Sequence, residues 1–341
     1  MKAILYRSFG GPEVLRLEEV PDPKPARGEV LVRVRAAGVN FFDTEIRGGL
    51  IPQLPLPHLP GLDGSGVIEA TGPGVDPSLK GQKVIIWPFV VCGECPQCLA
   101  GREQMCERMV HVGVFRPGAY AELIALPSAN AIEFSGMSFE QAACVPVGFT
   151  TAWNILVNRG GIKPGSTLLV VGASGTVGTA AVQIAGLAGA RVFAATSRTR
   201  FAKQIKDFGA EAVFDYRTED VWKLAKDANG GRGLDFVLDN GGTPTVNRSL
   251  DALGHNGVLL IVGGAAGEVL PELNLRSMWF GHRSIVASGN GTRLDLRTIL
   301  GEMALGRLKP VLAGTHPLGQ ASEAHRALVA GDRLGHIVLV P

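Results

Sequence analysis

The stretch Thr167 to Arg200, TLLVVGASGTVGTAAVQIAGLAGARVFAATSRTR, constrains this chain more than any other, because it reads as strand, tight turn, helix and second strand in succession. Thr167 to Val171 is a short apolar, β-branched run of the kind buried in a parallel sheet. Ala173, Gly175 and Gly178 follow with A-x-G-x-x-G spacing, then an Ala-rich helix from about Val177 to Leu187, then a strand from Arg191 to Thr196. Small residues in such a turn let the backbone approach a pyrophosphate, and the free N–H groups of the helix start point at it. Ala173, Gly175, Thr176, Val177 and Gly178 are therefore read as a dinucleotide-binding turn, and the fold class as α/β with a doubly wound parallel sheet.

The end of the second strand decides which dinucleotide. An NAD site usually places Asp or Glu there to hold the ribose hydroxyls. This chain has no acidic residue between Gly178 and Asp207 and runs instead into Thr196, Ser197, Arg198, Thr199 and Arg200. Hydroxyls and guanidinium groups suit a 2′-phosphate, so NADPH is favoured over NADH, with Ser197 and Arg198 as contacts. The competing reading makes Arg198 and Arg200 ordinary solvated residues at a helix start.

Four of the five cysteines crowd into Cys92 to Cys106 with the spacing C-x2-C-x2-C-x7-C, in a loop punctuated by Gly93, Pro96 and Gly101. Four thiolates fill the tetrahedral shell of Zn²⁺ and leave no position for water, so Cys92, Cys95, Cys98 and Cys106 predict one structural zinc. Cys144, between Ala143 and Val145, reads as a small core residue. A net charge of +2 excludes the basic field of a nucleic-acid binder, and no run of 18 apolar residues offers a membrane span. The expected location is the cytoplasm.

Lys2 to Tyr6, Leu15 to Glu19, Val30 to Ala37, Gly66 to Thr71, Lys83 to Trp87 and Tyr120 to Ala125 read as short strands, so the first 125 residues or so form a β-rich domain. Met137 to Cys144 starts helical, and Gly148 to Val157 continues helically into the dinucleotide unit. That unit adds strands at Ala212 to Tyr216, Leu234 to Asn240, Gly257 to Gly263 and Ser284 to Ser288, about six parallel strands in all. The tail, with a strand near Val311 and a last one at His336 to Val340, is too small to fold alone and is expected to complete the first domain. The expected division is 1–145 with 291–341, carrying the zinc lobe 92–106, and 146–290 for the dinucleotide domain.

GGPEVL near the start, GVNFFD from Gly38, PGLDGSG from Pro60, the cysteine lobe, TTAW at Thr150 and the glycine turn together resemble the medium-chain dehydrogenase/reductase family along nearly the whole chain. The resemblance implies a GroES-like catalytic domain, a Rossmann domain and an active site in the cleft between them. Where the family's zinc alcohol dehydrogenases carry Cys, His and Cys, this chain aligns Asn40, Leu62 and Val147, which do not make a ligand set. GVNFFDTEIRGG instead is similar to the zinc-independent branch, which includes NADPH:quinone reductases and enoyl reductases.

The resemblance also implies site residues. Asn40 would lie beside the nicotinamide, or else be a turn-stabilising Asn. Asp63 occupies a neighbouring carboxylate position and is expected to pair with Arg47 or another cation. Glu45 falls where relatives carry a Tyr or a proton-relay His. Thr151 would approach the nicotinamide ribose, and Tyr216 the adenosine phosphate unless it is a core-edge aromatic. Gly263 and Gly264 end a strand where the ring needs room. The apolar stretch Val269 to Ile285, with Met278, Trp279 and Phe280, would pair subunits into a homodimer or homotetramer, unless those aromatics pack in the core of one subunit.

These observations favour an oxidoreductase that passes hydride from NADPH to a quinone or α,β-unsaturated carbonyl without a catalytic zinc. A small-molecule acceptor is the expected partner. Two alternatives stay open: an alcohol or aldehyde dehydrogenase with a remodelled metal site, and a non-catalytic NADPH-binding sensor or structural protein.

Overall fold

A computed structural model describes residues 1–264, 267 and 272–341. Its centre is a six-stranded sheet in which every pairing is parallel. Across the sheet the strands run Ala210–Phe214, Arg191–Ala195, Thr167–Val171, Leu234–Asp239, Leu253–Ile261 and Ser284–Ala287. In chain order this is 3-2-1-4-5-6, so the winding reverses between Thr167–Val171 and Leu234–Asp239, and the crevice at their carboxyl ends is the ligand position of such sheets. All five residues of Thr167–Val171 are buried. Leu168 and Val170 pack with Ala180 and Ile184 on one face, while Leu169 and Val171 pack with Phe193 and Val237 on the other. Burial on both faces is why this strand shows no alternation.

The second large sheet is built around the 11-residue strand Glu29–Val39. Asp63–Thr71 lies antiparallel on one side of it, and Leu123–Pro127 and His336–Val340 share the other. The tail pairs with this sheet: Ile337 lies opposite Val39 and Leu339 opposite Ala37, and Leu312–Pro317 adds parallel to the last strand. A GroES-like β-rich layer thus accompanies the parallel sheet.

Two local expectations shift. The strand expected from Tyr120 begins at Leu123, because Tyr120 turns its ring into the core and its carbonyl accepts from the Ile4 N–H at 2.8 Å. The helix expected over Gly148 to Val157 runs as Pro146–Trp153 and then widens into a π-helical turn, Asn154–Arg159. There Asn154 Nδ2 donates to Ser288 Oγ at 2.7 Å and to the Asn290 carbonyl at 2.9 Å, tying the turn to the segment that leaves the parallel sheet. No helix among the described residues is long and apolar enough to cross a membrane.

Candidate active site

The glycine turn occupies the carboxyl end of the first parallel strand, and the helix Thr176–Leu187 starts directly from it. Gly172 takes φ +84°, a left-handed conformation that favours glycine. A Cβ on Gly178 would stand 2.2 Å from the Gly172 carbonyl oxygen, so strand end and helix start touch backbone to backbone. The working fingerprint is thus Gly172, Gly175 and Gly178, with Ala173 buried beneath it. Gly172 was visible in the sequence as one more glycine at the same three-residue spacing. Thr151 is buried on the helix Pro146–Trp153, which packs against the fingerprint helix.

At the next strand end the structure gathers the residues expected at the adenosine ribose. Arg198 donates to Ser197 Oγ at 2.6 Å, and Tyr216 donates its hydroxyl to the same oxygen at 3.0 Å. Tyr216 is exposed rather than packed at a core edge. Thr196 Oγ1 reaches back to Ser174 Oγ in the glycine turn at 3.0 Å, joining the two loops. On the far side, an added Cβ at Gly263 would meet no atom of the described residues within 4 Å. Gly264 is described and half-buried, whereas Val269, the first residue of the expected subunit-pairing stretch, lies outside the described residues together with Leu270 and Pro271.

Asn40 opens the short helix Phe41–Arg47, its backbone N–H held by the Asp43 carboxylate at 2.8 Å. Its Nδ2 donates to Asp63 Oδ2 at 3.0 Å, and the Val147 N–H donates to Asp63 Oδ1 at 3.1 Å. Asp63 is fully buried, and that burial pushes its carboxyl up to about 8, with the charge of Asp43 adding to the rise and the two donors opposing it. The expected pairing of Asp63 with Arg47 does not occur. Arg47 stands at the opposite end of its helix and donates to the Gly10 carbonyl at 3.0 Å and to His325 Nδ1 at 2.6 Å. Because a guanidinium only donates, His325 carries its proton on Nε2 and donates to the Tyr120 hydroxyl at 3.3 Å, which donates to Asp43 at 3.2 Å. Asp63 therefore has neutral partners, and among the described residues only the ring of His336, 3.9 Å away, approaches as a potential cation. Burial pushes that imidazole down to about 3, so it too is neutral. Glu45 is half-buried on the helix Phe41–Arg47 that Asn40 caps.

The four cysteine sulfurs of the lobe lie within 4.8 Å of one another. Cys92 and Cys98 are 3.9 Å apart, and Cys92 and Cys106 3.5 Å, against roughly 3.8 Å for the edge of a tetrahedron with Zn–S bonds of about 2.3 Å. The backbone N–H groups of Glu94 and Cys95 push the Cys92 thiol down, toward the thiolate a metal needs. The donor set fits a closed Zn²⁺ site. Between the third and fourth ligands, Glu103 receives the Arg293 guanidinium at 2.6 Å and the Arg293 N–H at 3.1 Å, bolting the lobe to the helix Arg293–Ala304.

Comparison with known proteins gives one family throughout. Residues 26–136 match the alcohol dehydrogenase GroES-like domain, and residues 176–304 the zinc-binding dehydrogenase domain. The acryloyl-coenzyme A reductase of Sulfurisphaera tokodaii is 30% identical over the full length of both chains. This chain belongs to the medium-chain dehydrogenase/reductase family. Like its relatives in that family, it is an oxidoreductase. Among solved structures, an NAD-dependent alcohol dehydrogenase superposes with a TM-score of 0.96 at 38% identity, covering all of both chains. The Escherichia coli quinone oxidoreductase complexed with NADPH gives 0.85 at 28% identity, again over both whole chains.

Two features of this dehydrogenase/reductase were not read from its sequence. Arg333 follows the helix Ala321–Ala330 of the returning tail, and its Nε is buried without a hydrogen-bond partner. Burial pushes its guanidinium down to about 10, and none of the ion pairs among the described residues includes it. Two residues on, the Gly335 N–H donates to the Ser174 carbonyl at 2.9 Å, which sets this cation against the glycine turn. A desolvated cation with an orphaned donor beside a phosphate-type turn fits an anionic dinucleotide. The second feature is the Glu103–Arg293 bolt. Both depend on segments distant in sequence, so no local motif announces them.

Proposed function

We propose that the protein reduces quinones or α,β-unsaturated carbonyls with NADPH and uses no catalytic metal. The observation that carries this reading is the environment of Asp63. At the position where zinc alcohol dehydrogenases gather three ligands, a buried carboxyl accepts from an amide and a backbone N–H beside apolar Leu62 and Val147. Two of these three positions offer no donor atom, so no Lewis acid is held there to turn an alcohol into an alkoxide. A conjugated acceptor brings its own electrophile.

When bound, NADPH supplies the hydride. The chain's residues hold and orient. Gly172 to Gly178 and the start of the fingerprint helix cradle the pyrophosphate, with Ala173, Gly175, Thr176, Val177 and Gly178 lining the approach and Arg333 as counter-charge. Ser197, Arg198 and Tyr216 take the 2′-phosphate, while Thr151 approaches the nicotinamide ribose and Gly263 and Gly264 leave space for the ring. Asn40 Nδ2 has two hydrogens. Asp63 accepts one and fixes the amide plane, leaving the other for the acceptor's carbonyl oxygen as negative charge develops. Burial drives Asp63 toward its protonated form, which suppresses charge beside Asn40. Glu45 is the proposed source of the proton that follows the hydride.

We assign residues 1–145 with 291–341 to the catalytic domain and 146–290 to the cofactor domain, with one structural zinc on Cys92, Cys95, Cys98 and Cys106. A homodimer or homotetramer belongs to the same reading. Trp279 and Phe280 stack at 4.1 Å and are 62% and 59% exposed, beside the edge strand Ser284–Ala287, so they do not pack in the subunit core. An open sheet edge flanked by exposed aromatics is a natural pairing surface.

Anaerobic oxidation of NADPH, offered a simple quinone and a simple enone, tests the proposal. Turnover with either supports it, and reaction only of alcohol with NADP⁺ or NAD⁺ overturns it.

A further inference from the structure

The two arginines beside the adenosine pocket are already engaged, and by the other domain. The helix Ala321–Ala330 ends at Gly331, and its last carbonyls point at Arg198. Nη2 of Arg198 donates to the Ala330 carbonyl at 3.0 Å, and Nε to the Gly331 carbonyl at 3.2 Å. Asp332 then divides its carboxylate between the two guanidinium groups, Oδ1 lying 3.1 Å from Arg198 Nε and Oδ2 2.9 Å from Arg200 Nη1. The Asp332 carbonyl also accepts from Arg200 at 3.2 Å. A strand end that carries no acid of its own thus receives one from the returning tail.

From this geometry we infer that Asp332 is a specificity-determining residue which holds down the affinity for a 2′-phosphorylated cofactor. The inference rests on reading Ser197, Arg198 and Tyr216 as the adenosine end of the site. With Asp332 in place, Arg198, Arg200 and the carboxylate sum to one positive charge; without it they sum to two, closer to what a phosphate dianion demands. A phosphate seated on the Ser197 and Tyr216 hydroxyls competes with Asp332 for the same donors. A cofactor lacking that phosphate does not. Each ion pair is partly exposed, so the competition is modest, and together the two pairs predict about a three- to tenfold effect.

The test uses two nucleotides that differ only at the 2′ position, adenosine 2′,5′-bisphosphate and 5′-AMP, titrated calorimetrically into the full-length protein. D332N, at a largely exposed position, removes the charge and keeps the shape. The expected result is that D332N tightens the bisphosphate about three- to tenfold and leaves 5′-AMP within about twofold, and that adding R200Q abolishes the gain. Equal tightening of both nucleotides, no change, or weaker bisphosphate binding overturns the inference. A wild type that binds the two nucleotides equally removes the NADPH reading, while the response of D332N still decides the role of Asp332. A wild type that prefers the bisphosphate and a D332N protein that does not differ from it remove the inference alone.

Discussion

The zinc lobe and the Asn40–Asp63 pocket occupy two positions at which this family can hold metal, and the chain treats them in opposite ways. In the lobe, four sulfurs sit at tetrahedral spacing and backbone N–H groups favour the thiolate. In the pocket, a carboxyl is stripped of water, given neutral partners and driven toward its protonated form. One region gathers four cation-binding sulfurs, with backbone N–H groups lowering the Cys92 and Cys95 thiols while burial pushes the Cys98 thiol up to about 12; the other buries a carboxyl among neutral partners. In the proposed function, this contrast assigns a metal to the loop it would hold in shape and none to the site where a conjugated acceptor would bring its own electrophile.

The largest effect that sharpens this contrast lies in the lobe. C95S is expected to lose bound zinc and lower the melting temperature by roughly 10 °C or more, read by metal analysis and calorimetry, because an incomplete thiolate shell loses most of its metal affinity. An unchanged melting temperature would make the lobe a passenger. Next in size, N40A is expected to reduce kcat by on the order of 100-fold with little change in the affinity for NADPH, as loss of one donor to a developing oxyanion does. A rise in KM alone would return Asn40 to its role at the helix start. The smallest effect concerns pH. Asp63 keeps its proton in the folded state up to about 8, whereas in the unfolded chain it gives it up near 3.8. A raised folded pKa stabilises fully below the unfolded value and loses that contribution as pH rises through the folded one. Between pH 7 and 8 the wild type should accordingly lose stability on the order of 1 kcal/mol more than D63N does, measured by denaturant titration. Parallel slopes would place Asp63 in the charged form.

The lobe was legible in the sequence because its ligands fall within 15 residues and their chemistry is set by spacing alone. The same holds for the fingerprint, whose helix begins at Thr176, one residue from its expected start. The pocket was legible only in outline. Asn40 and Asp63 were each identified as site residues, but their mutual hydrogen bond was not, and the expected partner of Asp63, Arg47 or another cation, gives way to Asn40 because the direction of the Arg47 side chain is decided by His325, nearly 280 residues away. Arg333 and Asp332 were not read at all. Each looks like an ordinary loop charge until the tail pairs with Glu29–Val39 and carries both against the cofactor domain.

The most direct test of the central claim is the zinc content of the purified protein, measured by mass spectrometry of the native chain. One zinc per chain, lost together with the lobe cysteines, is the predicted result. Two zincs per chain, with the second retained in C95S, would contradict it and place a metal in the Asn40–Asp63 pocket.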